Sequence, residues 1–160
     1  MITYLQGDAT QPIGDGMKII AHVCNDRGGW GRGFVLALSR KWPEPERAYR
    51  QWFGKPTFRL GAAQIVQVDG YIHVANMVAQ SGYGPGNRNR HQTAEMNSTP
   101  PIRYAALEEC LQEVGNWARN NQATVHMPRI GTGLGGGRWE EVEPILNSAL
   151  ADLDVFVYDL

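Results

Sequence analysis

Cysteine is scarce in this chain of 160 residues, where Cys24 and Cys110 are the only two. They fit no metal-ligand spacing and no disulfide framework, and the opening MITYLQGD has neither a basic n-region nor an apolar h-region, so a reducing cytoplasm is the expected setting. Charge of either sign is in short supply as well: charged residues make up 19% of the chain and leave a formal net charge of -1. No whole-molecule field draws the protein to nucleic acid or to an anionic membrane, and any anion site has to be built locally. Uninterrupted apolar runs fall well short of the ~20 residues that a membrane span needs. The pattern G-x-x-x-x-G-K-[ST] is absent, which removes the support for a nucleoside triphosphatase.

What the chain does have is glycine, 19 residues of it, inside an otherwise globular composition with 42% apolar residues. A length of 160 suits one sizeable core, so a single domain over 1–160 is expected. Short β-branched runs at 2–6, 18–24, 62–68, 71–77, 123–130 and 155–158 read as strands. Apolar positions at helical spacing mark helices at 34–42, 46–53, 101–119, with Pro101 at its start, and 138–151. The Asp69-Gly70 between two of the strands predicts a type I′ hairpin. Residues 80–100 are polar, aperiodic and rich in glycine and arginine, hence a long loop. Tyr83 or Gln80 in it could cover a ligand as a lid. Arg88, Arg90 and His91 beside Tyr83 hold too few charges to outweigh a solvated loop.

Strands alternating with helices predict an α/β fold of three layers, α/β/α, around a mixed sheet of about six strands. Ligands of such sheets bind beyond the carboxyl ends of the strands. Two glycine clusters, NDRGGWGRG after residue 24 and GTGLGGG from residue 131, each follow a strand and precede a helix. Backbone N–H groups at such turns lack intrahelical partners and sit at the positive end of a helix dipole. Glycine lets a phosphate oxygen approach them. Two clusters in equivalent positions favour phosphate binding over plain turns. The second cluster also satisfies G-x-G-x-x-G. However, the fingerprint expects an acidic residue about 20 residues on at the end of the next strand, whereas Asp152 and Asp154 precede the last strand, and the remaining βαβ units of a dinucleotide fold are missing.

Taken together, YLQGDATQP, IIAHVCNDRGGWGRGFVLALSRKWP, HMPRIGTGLGGGRWEEVEPIL and the terminal VFVYDL resemble the macro domain family of ADP-ribose-binding modules. The nearest likeness is to the branch of terminal ADP-ribose protein glycohydrolase and yeast-type ADP-ribose 1''-phosphate phosphatase. The resemblance implies that Asp8 accepts a hydrogen bond from the adenine amino group, with the Ala9 backbone beside it. It implies that Asn25 faces the distal ribose and that Gly29, Gly31 and Gly33 form a first phosphate loop next to Phe34. Gly131, Thr132, Gly133, Leu134 and Gly135 fall in a second loop that wraps the diphosphate. The branch's catalytic lysine and aspartate have no counterpart here, where VAQSGYG and GLGGG stand in their places. His22 matches the histidine of the phosphatases.

The activity expected from this likeness is hydrolysis of ADP-ribose from modified acidic side chains by water, which Asn25 or His22 positions. A non-catalytic ADP-ribose reader and a 1''-phosphate phosphatase are the alternatives. The expected partners are ADP-ribose and ADP-ribosylated proteins, with nucleic acid only as a modified substrate. No membrane, metal or cofactor is expected, and the chain is expected to be a monomer. Trp30 has two readings, covering the ligand or packing on the following helix. Arg129 and Arg138 are expected to pair with acids such as Glu140 or Glu141 rather than with phosphate.

Overall fold

A computed structural model describes residues 1–82 and 101–160. From residue 83 onward the polar stretch read above as a loop, with Tyr83, Arg88, Arg90 and His91, lies outside the described residues. Six strands form one sheet: β1 Ile2–Gln6, β2 Lys18–Asn25, β3 Ala63–Gln67, β4 Ile72–Gln80, β5 Thr124–Pro128 and β6 Val155–Asp159. Their order across the sheet is β1-β6-β5-β2-β4-β3, and every neighbouring pair is parallel except antiparallel β3/β4. This is the mixed six-stranded α/β sheet that the sequence predicts.

Strand parity divides the core in two. Ile19, Ala21, Met77, Met127 and Val157 face one side, where α3 Tyr104–Asn121 and α4 Trp139–Ala149 cover them. Ile20, Cys24 and Val74 face the other side and pack under α1 Phe34–Lys41 and α2 Glu44–Trp52. Alternation of side chains along each strand is what lets one sheet bury both layers. Both cysteines are free and buried. Burial pushes the Cys110 thiol up to about 12 and raises Cys24 as well, which makes both inert as nucleophiles.

Two of the departures from the sequence reading have a visible cause. Pro101 precedes the start of α3 by three residues, because Ile102 forms a bridge with Gln80 and its N–H donates to the Gly135 carbonyl at 3.0 Å. The β3–β4 turn is not a two-residue type I′ turn. Val68 donates to Ile72, the Asp69 carboxylate accepts from the N–H of Tyr71 at 2.9 Å and of Ile72 at 3.2 Å, and Gly70 has no positive φ. An aspartate side chain that closes the turn removes the need for left-handed backbone.

Candidate functional site

Because β1, β2, β4, β5 and β6 run parallel, their carboxyl ends lie on one edge, and three loops meet there. The turn after β1 carries Asp8, the loop after β2 spans 25–33, and the loop after β5 spans 129–138. Strand order places the β5 loop beside the β2 loop, with the β1 turn beyond β6. The residues that the sequence singles out therefore come to a single edge, although Asp8 and Gly131 lie far apart in the chain.

Asp8 caps its own turn: Oδ1 accepts from the Thr10 N–H and hydroxyl, both at 2.8 Å. Ala9 behind it is buried. Lys41, at the end of α1, donates to the Thr10 carbonyl and fixes this turn to the α1 layer.

The first glycine loop is organised from within by Asn25. Its Oδ1 accepts from the N–H groups of Arg27 at 2.8 Å and Gly29 at 3.1 Å, and its Nδ2 donates to the Gly29 carbonyl at 2.9 Å. The Tyr49 hydroxyl, from α2, donates to the Asn25 carbonyl at 2.6 Å and lies 3.2 Å from Oδ1. The Asn25 amide is thus occupied in holding the loop. Tyr49→Phe removes the phenolic donor from a half-buried carbonyl and should cost about 1 kcal/mol in a denaturant melt. A melt identical to wild type would mean that α2 does not brace the loop.

Trp30 packs rather than covers. It is 5% exposed, donates its indole N–H to Ser39 at 2.8 Å and lies against Tyr49. Gly31 and Gly33 are exposed, and Gly33 opens α1 with a φ of 80° and no side-chain cap on the helix. Phe34, half-buried, is the first residue of that helix. Asp26 is a site residue that the sequence reading misses. Its carboxylate accepts from the Gly82 N–H at 2.9 Å and the Ser81 hydroxyl at 3.2 Å, which ties this loop to the end of β4. A polar residue directly after a β-strand and next to Asn25 was the available signal.

The second loop divides its glycines by task. Gly131 is buried with a φ of 78° against Ile102 and Val142, and Gly135 is buried with both backbone groups bonded, N–H to Thr132 and carbonyl from Ile102. Gly135 therefore faces the core beside Gln80, not outward. The Gln80 amide itself donates to the Gly82 carbonyl at 3.1 Å. Gly133 is exposed with a φ of 59°, and Leu134 follows it inside a single 3-10 turn, Gly133–Gly135. Thr132 donates its hydroxyl to the Arg129 carbonyl at 2.7 Å. Among the described residues, the N–H groups of Gly131, Thr132 and Gly133 have no acceptor. Three consecutive open donors can bond an anion.

Arg138 pairs with Glu141 at 3.2 Å, as expected. Arg129 differs. It grips Asp159 with two bonds of 2.9 Å and lies over the rings of Tyr4 and Trp139. That pair locks the start of the loop to the end of β6, and the guanidinium holds the Asp159 carboxyl below its ordinary range.

His22 lies inside the core. It is 1% exposed on β2, and its Nε2 donates at 2.5 Å to Asn76 Oδ1, because both Asn76 amide hydrogens already go to the Pro45 and Gln64 oxygens. Its Nδ1 is buried with no partner, and burial drives its pKa down to about 4. His126, buried between Thr124 and Tyr158, is likewise lowered to about 4, by burial first and Lys18 second. The folded protein keeps both imidazoles neutral down to that range, whereas the unfolded chain takes up protons near pH 6.5. Stability is therefore full above pH 6.5 and falls as the pH drops toward 4, by up to about 3 kcal/mol per histidine. Denaturant melts at stepped pH should show this slope, and His22→Gln should flatten its share. A level profile between pH 6.5 and 4.5 would contradict the assignment.

No protein-family model matches the chain. A macrodomain protein from Streptomyces coelicolor has a solved structure that is 45% identical, covers 100% of this chain and 99% of its own, and superposes with a TM-score of 0.83. A Bacteroides thetaiotaomicron protein of unknown function is 49% identical over 100% of this chain and 98% of its own, with a TM-score of 0.90. An ADP-ribose 1''-phosphate phosphatase from Lodderomyces elongisporus is 28% identical over 98% of this chain and 97% of its own length.

Proposed function

The chain belongs to the macrodomain family, and from that premise we propose that it binds ADP-ribose and hydrolyses it from modified acidic side chains of proteins. The observation that carries the reading is the meeting of three loops on one sheet edge, with the open N–H groups of Gly131, Thr132 and Gly133 in the second of them. In this reading the diphosphate lies on those donors and on the uncapped first turn of α1, where the helix dipole adds to the attraction. Asp8 keeps one carboxylate oxygen clear of its Thr10 bonds to accept from the adenine amino group. The distal ribose then reaches the first glycine loop at Gly29, Gly31 and Gly33, next to Phe34.

Hydrolysis needs little more than position. A water oxygen bonds to the anomeric carbon of the distal ribose, and the bond from that carbon to the glutamate oxygen breaks. The carboxylate leaves with the electron pair, and the water's surplus proton goes to solvent. A carboxylate is a good enough leaving group to depart without an acid, so orientation of water and ribose by the loops and the bound diphosphate supplies the rate. Asn25 contributes by holding the loop, and His22 by packing beneath it.

The test is mass-spectrometric detection of ADP-ribose released from a protein modified on glutamate, with Gly133→Glu as the control. Release by wild type alone supports the hydrolase. Bound ADP-ribose without release makes the protein a reader, unless it frees phosphate from ADP-ribose 1''-phosphate. That second assay is included because of the yeast relative. The inert, unpaired cysteines suit a reducing cytoplasm, and the protein is proposed to act there as a monomer.

A further inference from the structure

Asp159, the last residue of β6, holds two parts of the site at once. Its backbone carbonyl accepts from the Gly7 N–H at 2.7 Å, next to Asp8 in the turn after β1. Its carboxylate accepts from Arg129 Nε and Nη2, each at 2.9 Å, at the start of the loop after β5. The Arg129 carbonyl in turn accepts from the Thr132 hydroxyl at 2.7 Å, inside the run 131–133 whose N–H groups are open. A continuous chain of hydrogen bonds therefore connects the turn of Asp8 to the open donors.

Arg129 is held by more than its acid. The guanidinium carbon lies 4.9 Å from the centre of the Tyr4 ring and 5.0 Å from that of Trp139. Those rings meet at 76°, and the Trp139 indole N–H donates to the Tyr4 hydroxyl at 3.0 Å, so they form a fixed corner. The Tyr4 hydroxyl donates to Glu143, which ties the corner to α4. Trp139 is also the first residue of α4, so the side chain that starts the loop touches the residue that follows its end.

An exposed ion pair adds little to stability, and these two side chains are 37% and 34% exposed. A fork held by two parallel bonds and two rings contributes geometry instead, because it fixes both distance and direction. A ligand gripped at both ends draws on both grips only when their spacing is preset. We infer that Arg129 and Asp159 are positioning residues that set the separation between the turn of Asp8 and the donors at 131–133, and thereby set selectivity for the adenine base. This rests on the proposed ADP-ribose site. In this role the guanidinium acts through the loop, its charge met by Asp159, and not by contact with phosphate.

The test is calorimetry with ADP-ribose and with its inosine analogue, in which a carbonyl oxygen replaces the adenine amino group. Wild type should prefer ADP-ribose by about tenfold or more, the worth of one hydrogen bond to a carboxylate. Arg129→Gln and Asp159→Ala should each weaken ADP-ribose about tenfold and leave the analogue within about threefold, so that the preference disappears. Arg129→Lys keeps a cation and loses the fork, and should act as Arg129→Gln does. Thermal melts close to wild type show that the variants are folded.

A merely structural pair would lower both ligands equally and keep the preference. A direct charge on the diphosphate would give opposite signs, with Arg129→Gln weakening both ligands and Asp159→Ala strengthening them. Either result overturns the inference, as does full rescue by Arg129→Lys or a wild type with no preference. A wild type that binds neither ligand sinks the proposed function as well, whereas binding of both with the preference kept in every variant sinks the positioning role alone.

Discussion

Gly133→Glu should reduce ADP-ribose binding by at least about a hundredfold while the protein stays folded, because no neighbour objects to the new side chain and the proposed ligand does. An added Cβ at this position has nothing within 4 Å, and the residue is exposed. The structural cost is confined to its φ of 59°, where a residue with a side chain loses about 1 kcal/mol relative to glycine. Against that small cost stands a carboxylate placed among the open N–H groups of 131–133, in the space assigned to a diphosphate. Two like charges within about 4 Å repel by several kcal/mol near a protein surface, and the new side chain also takes up space next to those donors. Calorimetry with ADP-ribose reads the loss, and a thermal melt within a few degrees of wild type shows that the fold is kept. Normal affinity in a folded variant would mean that the diphosphate lies elsewhere.

Gly137→Ala, four residues on, should do the reverse and strike the fold first. Its Cβ would stand 2.5 Å from the Gly131 carbonyl oxygen, 2.9 Å from the Tyr104 hydroxyl and 3.0 Å from Ile102 Cγ2. The nearest of these is backbone, and the Gly137 N–H already donates to that same oxygen at 2.8 Å to close the loop. No flexible side chain can yield to make room. Either the closing bond breaks or the chain between 131 and 137 shifts, at a cost of about 3 kcal/mol. A denaturant melt should report that loss, and ADP-ribose binding should fall with it. Gly133→Ala serves as the companion variant and should cost only the small left-handed backbone penalty. Equal stabilities for the two alanine variants would refute the division of labour within the loop.

The elements were legible in the sequence to within a few residues wherever periodicity was strong. The strands are short and β-branched, and α3 and α4 have clear apolar faces. Boundaries failed where a long-range bond decided them. Pro101 would start a helix in isolation, but the bridge between Ile102 and Gln80 keeps this segment extended. The hairpin turn failed for a local reason: an aspartate can close a turn through its side chain as well as through the backbone that it favours.

The site was legible in outline and not in detail. Asn25 and His22 stand out in the sequence as polar residues at the end of β2, yet the task of each lies in bonds that no spacing reveals. Asn25 is occupied by Arg27, Gly29 and Tyr49, and His22 by Asn76. Arg129 draws attention through its place next to the glycines, yet its partner Asp159 lies 30 residues away on another strand.

By itself the sequence determined the α/β fold and the two strand-to-helix glycine loops, because periodicity and glycine placement are local properties that act over a few residues. Parallel pairing then carried those loops to a common edge. The tertiary structure alone decided which of the glycines in 131–137 faces solvent, which is buried and which cannot accept a methyl group. It also decided which polar side chains are already bonded. Each of these depends on what residues distant in the chain place within a few ångströms, and a hydrogen bond or a steric clash acts only over that distance.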